Sequence, residues 1–281
     1  MKQYIAFSCD WESRGNFLVR HLANGTDHFE LISEHLIDAI RDMLGGKLTW
    51  YAKIDFFADI TYYNRFDELS RKILSGGGEL GVHVHHISRD PARRQQVYAR
   101  AIRRMAEVGF PATAYSAGNG EILPCDVQLL VNSGFRTSRW GYPGLKHEFA
   151  DWLDMGYAPG YACEEDYKRI GSRDGLFVYQ LGTDLNHNLD GGRQLHIHKE
   201  MNLETLKSIF ADCMESLIKN GDFPLLGCYF HPYNLCTTLT ECDMSDSVTM
   251  DKFNRFASWL INSGVIFVTD CEARLAFDLQ R

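Results

Sequence analysis

The chain is 281 residues long, with 45% hydrophobic, 12% aromatic and 23% charged residues, a balance that argues against intrinsic disorder and supplies enough apolar side chain for a substantial core. That length suits two small domains or one large α/β barrel, and with no repeat, low-complexity tract or linker-like stretch in it, a single domain over residues 1–281 is favoured. A net charge of −8 argues against nucleic acid as a partner, since the phosphate backbone selects for basic stripes.

In chain order, apolar runs of strand length alternate with helical patterns, the signature of βα units around a parallel sheet or barrel. Residues 4–9 read as the first strand. A loop over 15–27 precedes a helix over 29–44, with apolar side chains at Leu31, Ile32, Leu36, Ile37, Ile40 and Leu44 and a stop at Gly45-Gly46. Residues 48–52 form the second strand expected, 65–74 a helix ended by Gly76-Gly77-Gly78, and 79–83 a third strand. Pro91 suits the first turn of a helix that runs to Val108 before Gly109 and Pro111 break it. A strand at 113–116, a helix at 126–132 and a short strand at 135–138 follow. Residues 141–200 look like an elaboration between barrel units, with strands at 176–181 and 194–198. The chain then reads as a helix at 204–220, a strand at 225–230, a helix at 251–262 and a last strand at 265–269.

Arg89, Arg93, Arg94, Arg100, Arg103 and Arg104 fall at spacings that suit the solvated face of a helix, a reading preferred over an anionic-ligand site. Eight cysteines (Cys9, Cys125, Cys163, Cys213, Cys228, Cys236, Cys242 and Cys271) include no C-x-x-C pair, and several lie in apolar runs, which fits a reducing compartment. No run approaches the roughly 18 apolar residues of a membrane span, and the first residues do not read as a secretory signal. The expectation is a cytoplasmic protein that does not span a membrane and can be peripheral to the inner membrane.

Chemistry collects where strands end. Side chains two apart on a strand share a face, so Asp10 and Glu12 project together from the first strand, and His83 and His85 from the third. One carboxylate can hold a metal while the other takes a proton from a water. The competing reading has Asp10 and Glu12 capping the next segment or pairing with Arg14 and Arg20; it is disfavoured because the end of a core strand is a costly place for two like charges. A His-x-His strand end suits zinc, for which neutral imidazole is a common ligand. His86 replaces His85 as the second ligand if the chain turns after Val84. His231 closes the apolar run 225–230 and adds a group suited to proton transfer near neutrality. A second doublet, His196-Ile197-His198, reads as ordinary strand histidines in preference to another metal site. Trp140, Tyr142, Tyr233 and Asn234 follow strand ends and serve equally as a sugar-stacking wall or as loop packing.

The order of these motifs resembles the polysaccharide deacetylases, the NodB-homology or carbohydrate-esterase-4-like group, in a branch similar to sugar deacetylases of O-antigen and capsule gene clusters. Phe7-Ser8-Cys9-Asp10-Trp11-Glu12 resembles the aspartate-bearing first motif, and Leu48-Thr49-Trp50-Tyr51-Ala52 the second strand. The stretch from Gly78 to His85 is similar to the metal-histidine motif, Tyr115-Ser116-Ala117-Gly118-Asn119 to the third motif, and Tyr229-Phe230-His231-Pro232-Tyr233 to the late histidine motif. The likeness covers most of the chain outside 141–200. It implies a single distorted (β/α) barrel of about seven parallel strands, one divalent metal, Zn2+, and hydrolysis of an N-acetyl group from an amino sugar, a sugar nucleotide or a lipid-linked glycan, in O-antigen or lipopolysaccharide biosynthesis. It also implies Asp10 as general base, His231 as general acid, and Glu12, His83 and His85 as metal ligands, with Ser116, Arg139, Trp140, Tyr233 and Asn234 near the substrate.

Three departures stand out. The family's H-x-x-x-H is here His83-x-His85-His86. The third motif's base-orienting arginine is replaced by Ser116, so Arg136 or Arg139 would have to serve. The fourth motif's histidine-tuning aspartate is missing from residues 135–140, which leaves Asp184 or Asp270 to reach His231. Competing functions are a deformylase or small-amide hydrolase on the same site and a non-catalytic, metal-bound sugar-binding protein. An isomerase or lyase is disfavoured because no lysine ends a strand assigned to the barrel.

Overall fold

The structure is a computed structural model that describes residues 1–12, 34–55, 65–85, 88–147, 150–171, 175–184, 193–235 and 247–281. The expected loop at 15–27, the start of the helix expected at 29–44, His86, and the pairing candidates Arg14 and Arg20 lie outside the described residues, as do Cys236 and Cys242.

Strands β1 (Tyr4–Trp11), β2 (Thr49–Lys53), β3 (Glu79–Val84), β4 (Ala114–Ala117), β5 (Thr137–Arg139), β9 (Phe177–Tyr179) and β10 (Leu225–Phe230) run parallel in the order β10-β1-β2-β3-β4-β5-β9. The sheet curls until its two ends meet. Leu181, just past β9, bridges in parallel to Gly227 of β10, and the Gly227 N–H donates to the Gln180 carbonyl at 2.7 Å. The result is the distorted (β/α) barrel expected, with seven parallel strands. A two-residue β8 (Gly160–Tyr161) lies antiparallel on β9, β11 (Ile266–Val268) pairs with the lower half of β1, and β6 (Lys146–His147) with β7 (Ala150–Asp151) forms a small hairpin within the elaboration.

Outside the barrel lie α1 (Glu34–Leu44), α2 (Phe66–Ser75), α3 (Pro91–Glu107), α4 (Asp126–Ser133), α5 (Leu203–Asn220), α6 (Pro232–Leu235) and α7 (Ser247–Asn262). Their starts follow local chemistry. The Asp90 carboxylate accepts the Ala92 N–H with Pro91 in the first turn, and Asn202 accepts the Thr205 N–H at 2.7 Å. Arg94 of α3 departs from the expected solvated face: it is buried, its Nε donating to Asp126 Oδ1 of α4 at 2.7 Å, while Arg89, Arg93 and Arg103 stay exposed. The hydrophobic stripe of α3 places position 94 beside Val97, Tyr98 and Ala101, and only a paired charge is tolerated there.

Two further readings are corrected. Residues 194–198 form isolated bridges, Gln194 to Thr183 and His196 to Tyr229, in place of a regular strand. A last helix, α8 (Asp270–Leu279), was not anticipated, although Thr269 and Glu272 form a reciprocal capping box at its start.

The period-2 alternation of the strands sorts the chain cleanly. Ile5, Phe7, Cys9 and Trp11 face outward into the main core beneath the helices, while Tyr4 and Ala6 face the barrel interior with Phe177, Tyr179 and Leu225, an apolar floor closed by Ala273 and Phe277 of α8. Above that floor the interior turns polar. Gly81 makes the transition possible, because a side-chain carbon there would overlap the inward ring of Tyr51.

Candidate active site

The inward row of β1 continues Ser8, Asp10, Glu12; that of β3 gives His83 and then His85; β4 contributes Ser116, β5 Arg139, and His231 follows β10. All stand at the carboxyl end of the barrel, where sites of parallel α/β sheets gather. Gly118 holds the space for His85, whose imidazole would collide with any side-chain carbon at that position.

Three ligand-type groups converge. Glu12 Oε2 lies 3.0 Å from His85 Nε2, Glu12 Oε1 lies 3.6 Å from His83 Nε2, and the two Nε2 atoms are 3.0 Å apart. Around a tetrahedral zinc, with bonds of roughly 2.0–2.1 Å, neighbouring donors sit roughly 3.3 Å apart, so this spacing fits such an ion. His83 is oriented from behind by Ser116 Oγ, 3.3 Å from its Nδ1, the arrangement that turns Nε2 toward a ligand position.

Beside this trio stand Asp10 and His231. Asp10 is 2% exposed, and its Oδ2 accepts from Arg139 Nη2 at 2.7 Å. The same guanidinium donates to Ser116 Oγ at 2.6 Å and to Ser8 Oγ at 2.7 Å, and the rings of Tyr51 and Tyr229 flank it at 5.4 and 4.7 Å. Asp10 Oδ1 is buried, receives no hydrogen bond from the described residues, and lies 3.8 Å from His83 Nδ1. His231 Nε2 is 3.4 Å from Glu12 Oε1 and 3.8 Å from Asp10 Oδ2. Its Nδ1 lies 3.2 Å from Asn234 Oδ1.

Burial opposes charge on both carboxylates, but their neighbours outweigh it. Arg139, with His83 and His231, holds Asp10 below its ordinary range, and His83, His231 and His85 hold Glu12 well below its own. Lys53, ending β2, adds a second cation 3.1 Å from Glu12 Oε2. Two anions thus face two cations in a nearly closed space.

The five principal residues, Asp10, Glu12, His83, His85 and His231, therefore meet at one end of the barrel. Of the remaining expected residues, Ser116 and Arg139 are buried against the site's own side chains, Ser116 beside His83 and Arg139 on Asp10. Trp140 is a core residue, 2% exposed, with its indole N–H donating to the Tyr167 carbonyl. Tyr233 stacks on the His231 ring at 4.6 Å. Of the two candidate arginines, Arg139 reaches Asp10, whereas Arg136 donates to the Val131 and Phe135 carbonyls. Asp270 is taken by the hydroxyls of Tyr51 and Tyr179 and does not serve His231. Lys53 was missed, and it corrects the statement that no lysine ends a barrel strand; the alternation Thr49, Tyr51, Lys53 held the signal. Ser8 was equally legible, two residues before Asp10.

No protein-family model matches the chain, and no curated protein matches it in sequence. Among solved structures it is similar to a protein of Mycobacterium smegmatis assigned as a polysaccharide deacetylase, at 15% identity and a TM-score of 0.59, over 99% of this chain and 91% of that one. It also resembles a 4-alpha-glucanotransferase from Thermococcus litoralis (10% identity, TM-score 0.55, 98% of this chain and 40% of that one). A third likeness is to an exo-type maltose-forming amylase from Pyrococcus sp. ST04 (10%, 0.53, 97% and 48%). The chain spans less than half the length of these last two. At such identities the likeness establishes a shared fold, the distorted (β/α) barrel that the motif order implied. Three different activities named on one fold leave the choice of reaction to the site.

Proposed function

We propose that the chain is a divalent-metal-dependent hydrolase that removes an N-acyl group, acetyl, from an amino sugar carried on a nucleotide, a lipid-linked glycan or a short oligosaccharide. The observation that carries this reading is the convergence of Glu12, His83 and His85 at ligand spacing, with Asp10 and His231 on either side. A zinc ion held by those three side chains would supply Lewis acidity, acidifying a water and polarising an acyl carbonyl. Asp10, kept ionised by Arg139, accepts the proton of the attacking water. His231 gives a proton to the departing nitrogen as the C–N bond breaks, so the amine leaves neutral.

A glycosidase-type reaction on this barrel needs a carboxyl group that retains its proton near neutrality. Asp10 and Glu12 are both held below their ordinary ranges, which favours the hydrolytic metal reading. The motive for a non-catalytic sugar-binding protein also weakens, since Arg139 fills the base-orienting role for which Ser116 is unsuited. A cavity of about 370 Å³, walled by Arg193, Gln194, His196, His198, Asn202 and Tyr229 among others, lies next to His231 and suits a hydroxylated ring. Free thiols at Cys9, Cys213 and Cys228 accord with a reducing, cytoplasmic setting; no described helix is long and apolar enough to cross a membrane.

The test is acetate release from a panel of N-acetylated amino sugars, their nucleotides and short oligosaccharides, with zinc-loaded protein. Release that a chelator and Asp10→Asn both abolish is expected. No acyl release from any member with the metal fully bound overturns the reading.

A further inference from the structure

Asn234 lies three residues beyond His231 in α6, and its side-chain oxygen gathers three nitrogens. The His231 backbone N–H donates to Oδ1 at 2.8 Å, His231 Nδ1 lies 3.2 Å from it, and His196 Nε2 lies 3.0 Å from it. The backbone N–H settles the orientation of the amide, because a flipped amide would set its NH₂ against another donor. A carbonyl oxygen can only accept, so both imidazole nitrogens must carry hydrogen.

We infer that Asn234 is the positioning residue of His231: its oxygen fixes the imidazole with hydrogen on Nδ1, so that Nε2, the nitrogen facing Asp10 and Glu12, is the one that gains and gives up the transferred proton. The role rests on the reading of His231 as proton donor. His196 steadies the amide from the far side, its ring lying flat on Tyr229 at 4.2 Å and 8°, with the Tyr229 hydroxyl anchored on Gln194 at 2.9 Å. Burial, and next the neighbouring His231, push His196 down to about 3, so it remains a neutral donor across the working range. The second His-x-His doublet thereby finds a use that is not metal binding. A neutral amide, in place of a carboxylate, orients the imidazole without adding a further anion beside Asp10 and Glu12.

The experiment is ¹⁵N imidazole NMR of the zinc-loaded full chain, with the His231 signals identified by their loss in His231→Gln. The wild-type protein is expected to show protonated Nδ1, Asn234→Ala to lose that preference, and Asn234→Asp to restore it. In the acetate assay, kcat of Asn234→Ala falls about 10- to 100-fold with KM changed less than about twofold, and Asn234→Asp recovers most of the loss. A bare Nδ1, with hydrogen on Nε2 alone, in the wild-type protein overturns the inference even if the alanine variant fails to fold, as does an unchanged Nδ1 protonation in a folded Asn234→Ala. Protonated Nδ1 without any acetate release would instead count against the proposed reaction and leave the tautomer assignment standing.

Discussion

Asp10 can stay ionised inside the barrel because Arg139 sits against it, and the two are 2% and 3% exposed. Replacing Arg139 by alanine strands a buried carboxylate, so unfolding by denaturant is expected to show a loss of about 3–5 kcal/mol. Lysine there would keep the charge but cannot reach Asp10, Ser8 and Ser116 together, and should recover only part of that loss. Asp10→Asn keeps the shape of the site and removes the proton acceptor. Acetate release should drop by about 10²- to 10⁴-fold while zinc content, measured on the purified protein, stays at the wild-type level. Glu12→Gln should do the reverse to the metal, lowering zinc content, since a neutral amide is a poor substitute for a carboxylate ligand.

Among elements, α8 closes the barrel from below. Its Phe277 ring packs on Tyr161, Phe177 and Phe223 beneath the barrel, and Asp270 at its start takes the hydroxyls of Tyr51 and Tyr179 from inside. Tyr51 also flanks Arg139, so a polar column runs from this helix to the base. Glu79, at the start of β3, accepts the Cys271 N–H of α8 at 2.9 Å, and burial together with Asp270 pushes its carboxyl up from 4.5 to about 7. A carboxyl that binds its proton more tightly when folded favours the folded state at low pH, and the benefit disappears as pH rises through the folded value. Relative to Glu79→Gln, the wild-type protein should therefore lose thermal stability as pH goes from about 4.5 to about 7; a difference between the two that stays flat or moves the other way refutes it. The α3–α4 contact is a second test at this scale. Asp126→Ala leaves Arg94 buried without its main partner, and a loss of about 3–5 kcal/mol is expected.

At the scale of the whole molecule, the proposed ligands tie β1 to β3 across β2, so a bound cation would staple three strands at the open end of the barrel. Binding to the folded chain alone stabilises by about 2.7 kcal/mol when free metal is 100 times Kd. Zinc should accordingly raise the unfolding midpoint and a chelator should lower it. Glu12→Gln should abolish most of that shift. A barrel shared with a glucanotransferase and an amylase is a scaffold that carries more than one chemistry.

Much of this was written along the chain. Period-2 alternation put Asp10 with Glu12 and His83 with His85, apolar runs marked the barrel strands, and glycine stops and capping residues marked most helices, because each of these signals depends only on neighbours a few residues apart. Such local rules could not choose between Arg136 and Arg139, since that choice depends on which side of a three-residue strand faces the axis. They could not show that Trp140, Ser116 and Arg94 are enclosed, that Lys53 meets Glu12, or that Asn234 and not Asp270 stands against His231. Those facts arise from contacts between residues brought together by closure of the sheet, where Leu181 meets Gly227 and strands remote in number come to share one small interior.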